Sequence, residues 1–285
     1  MKKIDKDKGL VIRNQGLVNF TKFQLGITNK LLKKEATDWL QKAKDHLKQK
    51  AYPEAIDACN KAIEITPNDA VPYRYSAISR MLIGDYADAL EDFELAIQHD
   101  PNDVENYLER GFMHYDLKDF QSAIKDFTKT IEIDHQNVQA FFSRGYAYYD
   151  LKKFQNAIED FSKAIEIDPN HVDAWYNRGF AKFDIGNYRG AIADFTTSIK
   201  LRPNDINAYA NRGEARYHLA HLRGAIADFT VVIQLDPSAA NAYYNRGVAQ
   251  SDLLNEYLAI KDLEMALSLD HPGAQEAIDK IKKLK

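Results

Sequence analysis

The chain has 285 residues, 45% hydrophobic and 28% charged, with eight Pro and 13 Gly. That is enough apolar material for a large core and too little Pro and Gly for a disordered or loop-rich chain. Cys59 is the sole cysteine, which excludes an intramolecular disulfide framework and a cysteine-cluster zinc site. The formal net charge is −4, yet residues 1–35 hold nine Lys/Arg against three Asp/Glu; the rest is acidic and lacks the basic face that sequence-independent nucleic-acid binding needs.

Residues 1–35 form a basic extension, helical or disordered. Its apolar run is broken by Arg13, Asn14 and Gln15, so no secretory signal is read. No run of about 18 apolar residues follows, so no membrane span is expected, and a cytoplasmic location is the default. "TKFQ" at 21–24 has the spacing of a capping box, and Leu25, Leu31 and Leu32 would bury one face of the helix it opens. Such a segment suits docking on an acidic body, its own or that of a second copy, which would give autoinhibition or self-association.

From residue 36 onward the sequence repeats. Pro67, Pro101, His135, Pro169, Pro203, Pro237 and His271 recur every 34 residues. Ala55, Ala89, Ala123, Ala157, Ala191, Ala225 and Ala259 keep a second register, and "RGAIADFT" occurs twice, at 189–196 and 223–230. Each unit reads as two amphipathic helices. In the fifth, the first helix is predicted over about 173–185 and the second over about 188–201, with "DIGN" as the turn and Pro203 as the stop. A small residue at unit position 8 (Ala43, Ala77, Gly111, Gly145, Gly179, Gly213, Gly247) faces the Ala at position 20 and lets the helices approach. Phe93, Phe127, Phe161, Phe195 and Phe229 fill the space beside that contact.

This pattern resembles the tetratricopeptide repeat family, with its W-x2-L-G-x2-Y…A-x3-F…P signature over 34 residues. The resemblance covers 36–273 as seven units: 36–69, 70–103, 104–137, 138–171, 172–205, 206–239 and 240–273. Residues 274–285 then form a capping helix. The resemblance implies an all-α fold, a right-handed α-solenoid superhelix of antiparallel helix pairs whose apolar faces are buried by stacking. Two departures stand out. The aromatic expected at position 11 has largely moved to position 12, and position 7, ordinarily apolar, is Arg in five units.

Those five are Arg110, Arg144, Arg178, Arg212 and Arg246. Position 23 on the second helix supplies Asp92, Asp126, Asp160, Asp194, Asp228 and Asp262. The guanidinium fork matches a carboxylate in two parallel hydrogen bonds, so the two rows predict a ladder of structural ion pairs. Unit two has Ser76 at position 7, which would leave Asp92 alone in a within-unit register. Pairing each Asp with the Arg of the following unit accounts for all five: Asp92–Arg110, Asp126–Arg144, Asp160–Arg178, Asp194–Arg212 and Asp228–Arg246. Asp262 would then meet Lys280.

By the resemblance, a concave groove is lined by first-helix positions 2, 5, 6, 9, 12 and 13. Position 6 offers Asn177, Asn211 and Asn245, whose amides can hold an extended backbone without reading its sequence. Phe142, Tyr176 and Tyr244 occupy position 5, Tyr146 and Phe180 position 9, and Tyr115, Tyr149, Phe183 and Tyr217 position 12. Asp116, Asp150, Asp184 and Asp252 stand at position 13. Aromatics with a row of carboxylates suit an extended segment with apolar or basic side chains; the same aromatics would equally pack between neighbouring first helices. The basic residues of the family's carboxylate clamp are absent, which argues against a chaperone co-factor. No metal set, phosphate loop or nucleophile–base pair is found, and no cofactor is expected. The function expected is a non-enzymatic scaffold or adaptor that binds a protein or peptide; an accessory subunit presenting substrate to a larger enzyme or assembly complex is the alternative.

Overall fold

A computed structural model describes residues 28–283; the 21–24 box and Leu25 lie outside the described residues. The described residues fall into two compact units, one ending at Leu117 and the other beginning at Lys118. In the first unit, α1 runs over 28–48, followed by α2 (Tyr52–Ile65), α3 (Ala70–Ile83), α4 (Tyr86–His99) and α5 (Val104–Asp116). The second contains α6 (Phe120–Ile133), α7 (Val138–Asp150), α8 (Phe154–Ile167), α9 (Val172–Asp184) and α10 (Tyr188–Leu201). It continues through α11 (Ile206–His218), α12 (Leu222–Leu235), α13 (Ala240–Asp252), α14 (Glu256–Ser268) and α15 (Ala274–Lys283). Among the described residues there is no strand, and each unit is a run of α-solenoid. The predicted helices of the fifth repeat are within a residue of α9 and α10. α1 crosses the 35/36 position as one helix, and Leu31 and Leu32 on it are exposed rather than buried.

Local sequence starts and stops these helices. First helices are capped by the last residue of the preceding repeat: Asp69, Asp103, Asn137, His171 and Asp205 each accept a backbone N–H of the first turn. The turn inside each repeat needs a left-handed residue at position 15. Gly84 and Gly186 supply it without strain, while Lys152, Ala220 and Leu254 adopt the same positive φ with a side chain attached. Between repeats, Tyr73, Tyr107 and Trp175 each donate to the carbonyl of the proline six residues earlier, which anchors the first helix to its entry turn.

Packing follows the small-residue register, with one refinement. A Cβ placed on Gly145, Gly179 or Gly213 would lie 2.7–3.0 Å from the ring of Phe161, Phe195 or Phe229. The glycines therefore make room for the aromatic at position 24 as much as for the alanine at position 20. Those phenylalanines and alanines are all but fully buried. In the first repeat Cys59 takes the aromatic's place, against Ala43 and Ala58. Burial pushes its thiol up to about 12, so it behaves as a core residue. Within the second unit, α9, α11, α13 and α15 form one row of first helices, each in contact with the next. α15 buries Ile278 and Ile281 over Leu263.

The arginine ladder exists, but in the other register. Arg144 donates from Nε and Nη2 to Asp160, at 2.7 Å each. Arg178 does the same to Asp194 at 2.9 and 2.8 Å, Arg212 to Asp228 at 3.1 and 2.7 Å, and Arg246 to Asp262 at 2.7 Å each. Each partner lies 16 residues downstream, in the arginine's own repeat. The expected pairs Asp126–Arg144, Asp160–Arg178, Asp194–Arg212 and Asp228–Arg246 are corrected accordingly, and Asp262 meets Arg246 rather than Lys280. The reason is geometric: positions 8 and 24 touch inside a repeat, so their neighbours 7 and 23 face each other too. Ser76 misled the count at the end of the series. Asp92 accepts from the Ser76 hydroxyl at 2.6 Å and pairs with Arg80, one helical turn on, at 3.0 Å; it was never short of a partner in its own repeat. Lys182 and Arg216, at the same position as Arg80, add a second cation to Asp194 and Asp228.

The arginines still stitch repeats together, through their remaining nitrogen. Nη1 of Arg144, Arg178, Arg212 and Arg246 donates to Thr128, Ser162, Thr196 and Thr230 on the preceding second helix, at 3.0–3.2 Å. Each guanidinium also lies over the aromatic three residues before it, Arg178 over Trp175 at 4.7 Å.

Candidate functional site

The candidate site lies along the row of first helices in the second unit. Phe142, Tyr146, Tyr176 and Asn177 border one cleft of about 350 Å³, together with Asp173 and Asn207. α7, α9 and α11 each contribute, so the residues come from three successive repeats and no single one could form the wall. Tyr176 and Phe180 stack at 6.2 Å with an interplanar angle of 7°, and Phe142 packs edge-on against Tyr146 at 5.2 Å. These rings are partly exposed. Phe142 and Tyr176 lean on buried Phe161 and Phe195 and, with Tyr146, border the cleft.

The asparagine row is partly committed to the scaffold. Asn211 donates to the Tyr176 hydroxyl at 2.8 Å, Asn245 to Glu214 at 3.2 Å, and Asn177 to the Asp173 carbonyl at 2.7 Å. An amide has two N–H donors and an oxygen with two lone pairs, so these bonds orient each side chain and leave further capacity. Burial raises the Tyr176 and Tyr146 phenols above their ordinary range, opposed in each case by the asparagine of the following repeat. Both rings are neutral donors near neutral pH.

The aspartate row is less open than its spacing suggested. Tyr149 donates to Asp184 and Tyr217 to Asp252 at 2.7 Å. The aromatic displaced to position 12 thus reaches the position-13 carboxylate of the next repeat. The carboxylate beside it, with burial, pushes the Tyr217 phenol up to about 12; burial and then Asp184 raise Tyr149 as well. These pairs brace adjacent first helices. Phe183 has no hydroxyl and packs on Tyr188 and His218 instead. Tyr244 stacks on His271 at 4.0 Å, so it closes the end of the row. Asp150 is exposed on α7, and Tyr115 is half-buried on α5 in the first unit.

Sequence reasoning passed over two members of this surface. Glu214 stands at position 9, where α7 and α9 carry Tyr146 and Phe180, and His218 stands at position 13, where α9 and α13 carry Asp184 and Asp252. Both line a second cleft with Tyr217 and Asn245. The signal was available as a break in the column at position 9.

Comparisons with known proteins agree with this architecture. Family profiles described as "TPR repeat" and "Tetratricopeptide repeat" match residues 77–138, 145–186 and 172–205. A search of the curated proteins found no match. Among solved structures, YrrB, "a TPR protein with an unusual peptide-binding site", aligns with a TM-score of 0.61 at 24% identity over 65% of this chain and 96% of its own. MamA aligns at 0.57 and 26% identity, over 60% and 94%. The C-terminal part of a TPR repeat-containing protein from Cytophaga hutchinsonii aligns at 0.71 and 19% identity, over 84% and 99%.

Proposed function

For a chain that carries tetratricopeptide repeats, and so has the fold of a protein-interaction scaffold, we propose that the row of first helices binds an extended peptide segment of a partner protein. One observation carries this reading. Partly exposed aromatic rings from α7 and α9 line one cleft with Asn177 of α9 and Asn207 of α11; Asn177 is oriented by the Asp173 carbonyl, and Asn211 holds the Tyr176 hydroxyl at the cleft wall. Aromatic faces offer apolar contact to side chains, and amides offer a donor and an acceptor to a passing backbone. The likeness to a solved structure described as having a peptide-binding site supports the same reading. Carboxylates along the row favour a segment with basic or apolar side chains, and the protein acts without catalysis of its own. No helix of the described residues is long and apolar enough to cross a membrane.

The test is selection of peptides from a displayed random 12-residue library on the full chain, repeated with Asn177, Asn211 and Asn245 all changed to Ala. Selected peptides should bind the wild type and lose about tenfold or more on the triple variant, since each amide hydrogen bond contributes about 0.5–1.5 kcal/mol. Because Asn211 and Asn245 also bridge neighbouring helices, thermal melting must accompany the measurement. Undiminished binding by a folded triple variant would remove the asparagines from the site.

A further inference from the structure

Position 9 of the row of first helices is aromatic or aliphatic in Tyr146, Phe180 and Val248, and Glu214 interrupts it. Its half-buried carboxylate borders a cleft of about 210 Å³ with Tyr217, His218, Phe229, Asn245 and Val248. This is smaller than the roughly 300–1,000 Å³ of sites that enclose whole small molecules; it fits one long side chain.

The carboxylate is under-compensated. It accepts an N–H from Asn245 at 3.2 Å, and among the described residues no lysine or arginine forms an ion pair with it. By contrast Asp194 and Asp228, on the helices behind, each hold two cations. An ionised carboxylate has about four acceptor sites, so most of this one's capacity is free and points into an aromatic-walled space. Burial holds the Glu214 carboxyl above its ordinary range, with Asn245 and then His218 opposing. The His218 ring is meanwhile stacked on Tyr188 at 4.5 Å and 5°. The chemistry that completes such a site is a cation with an apolar stem: the stem lies along Tyr217 and Val248 while the head meets Glu214. An apolar side chain seated there would bury the carboxylate uncompensated, and an acidic one would be repelled.

We infer that this cleft is a subsite for one lysine or arginine side chain of the bound segment, with Glu214 as its specificity-determining residue. The inference rests on the groove reading above and adds the residue class at one position of the ligand.

The same displayed library is selected on the wild-type chain, on Glu214→Gln and on Glu214→Lys, each confirmed folded by thermal melting. Wild-type selections should share Lys or Arg at one fixed position. In a synthetic peptide of that sequence, norleucine at that position should weaken wild-type binding tenfold or more and Glu214→Gln binding less than twofold. Glu214→Lys should select Asp or Glu there. A consensus without a fixed basic residue, or an equal norleucine loss on wild type and Glu214→Gln, overturns the inference. Changing Asn177 and Asn211 to Ala leaves this cleft intact. If those two changes do not affect binding while the Glu214 dependence persists, the asparagine part of the groove reading fails and the subsite stands. If the wild type selects no peptide, both fail.

Discussion

Arg178 is held by three groups. Two of its nitrogens grip Asp194, a third reaches Ser162 in the previous repeat, and its plane lies over Trp175. Asp194 is the more deeply committed partner, with its side chain only 3% exposed and Lys182 as a second cation at 2.7 Å. Removing one partner of a buried pair leaves charge uncompensated and costs roughly 3–5 kcal/mol. Asp194→Ala strands two cations. It is expected to cost about 3 kcal/mol or more, measured as a lower denaturant midpoint, with the loss centred on the α9–α10 pair. Asp160→Ala strands only Arg144 and should cost less. The pairing register places that loss inside the repeat; a loss confined to the junction with the following repeat would contradict it.

Among the helices, the turn inside each repeat shows where the element's geometry overrides its residues. Position 15 is left-handed at Lys152, Ala220 and Leu254 as it is at Gly84 and Gly186. A side chain in that conformation costs about 1–2 kcal/mol relative to glycine, and Leu254 is 87% exposed, so no packing offsets the strain. Leu254→Gly is therefore expected to raise stability by about 0.5–1 kcal/mol, after the extra unfolded-state entropy of glycine is subtracted. Thermal melting at fixed pH checks it; a lower melting temperature would mean that Leu254 makes a stabilising contact. The glycines at position 8 behave oppositely, because their missing Cβ is where the phenylalanine ring sits.

At the scale of the molecule, repeats of equal length are interchangeable where the contacts between them repeat. Arg144, Arg178, Arg212 and Arg246 each find a Ser or Thr hydroxyl at the same place in the repeat before. Deleting residues 172–205 would set Arg212 opposite Ser162 instead of Thr196, with the hydrogen bond preserved. The shortened chain should fold, lose the helical signal of α9 and α10 by circular dichroism, and melt lower, because stability in such arrays sums over units and interfaces. It should also lose the cleft around Tyr176 and Asn177 while keeping the one around Glu214. A chain that failed to fold after this deletion would show that the repeats are not equivalent supports.

The sequence by itself determined the period, the helix pairs, the small-against-large contact inside each repeat, and the rows of arginine, asparagine and aspartate. These follow from local chemistry and from a 34-residue translation that puts the same residue type at the same point of every unit. Which row meets which was beyond it. Position 7 lies near an aspartate on either side in a linear count, and only the packed helices show that the closer carboxylate is its own repeat's. The same is true of the groove. Spacing placed Asp184 and Asp252 on a face, but the approach of adjacent first helices hands them to Tyr149 and Tyr217. It leaves Glu214, a single break in an apolar column, facing the open cleft. A side chain's type is written in the sequence; whether its hydrogen-bonding capacity is already engaged is decided by what the neighbouring helix brings within reach.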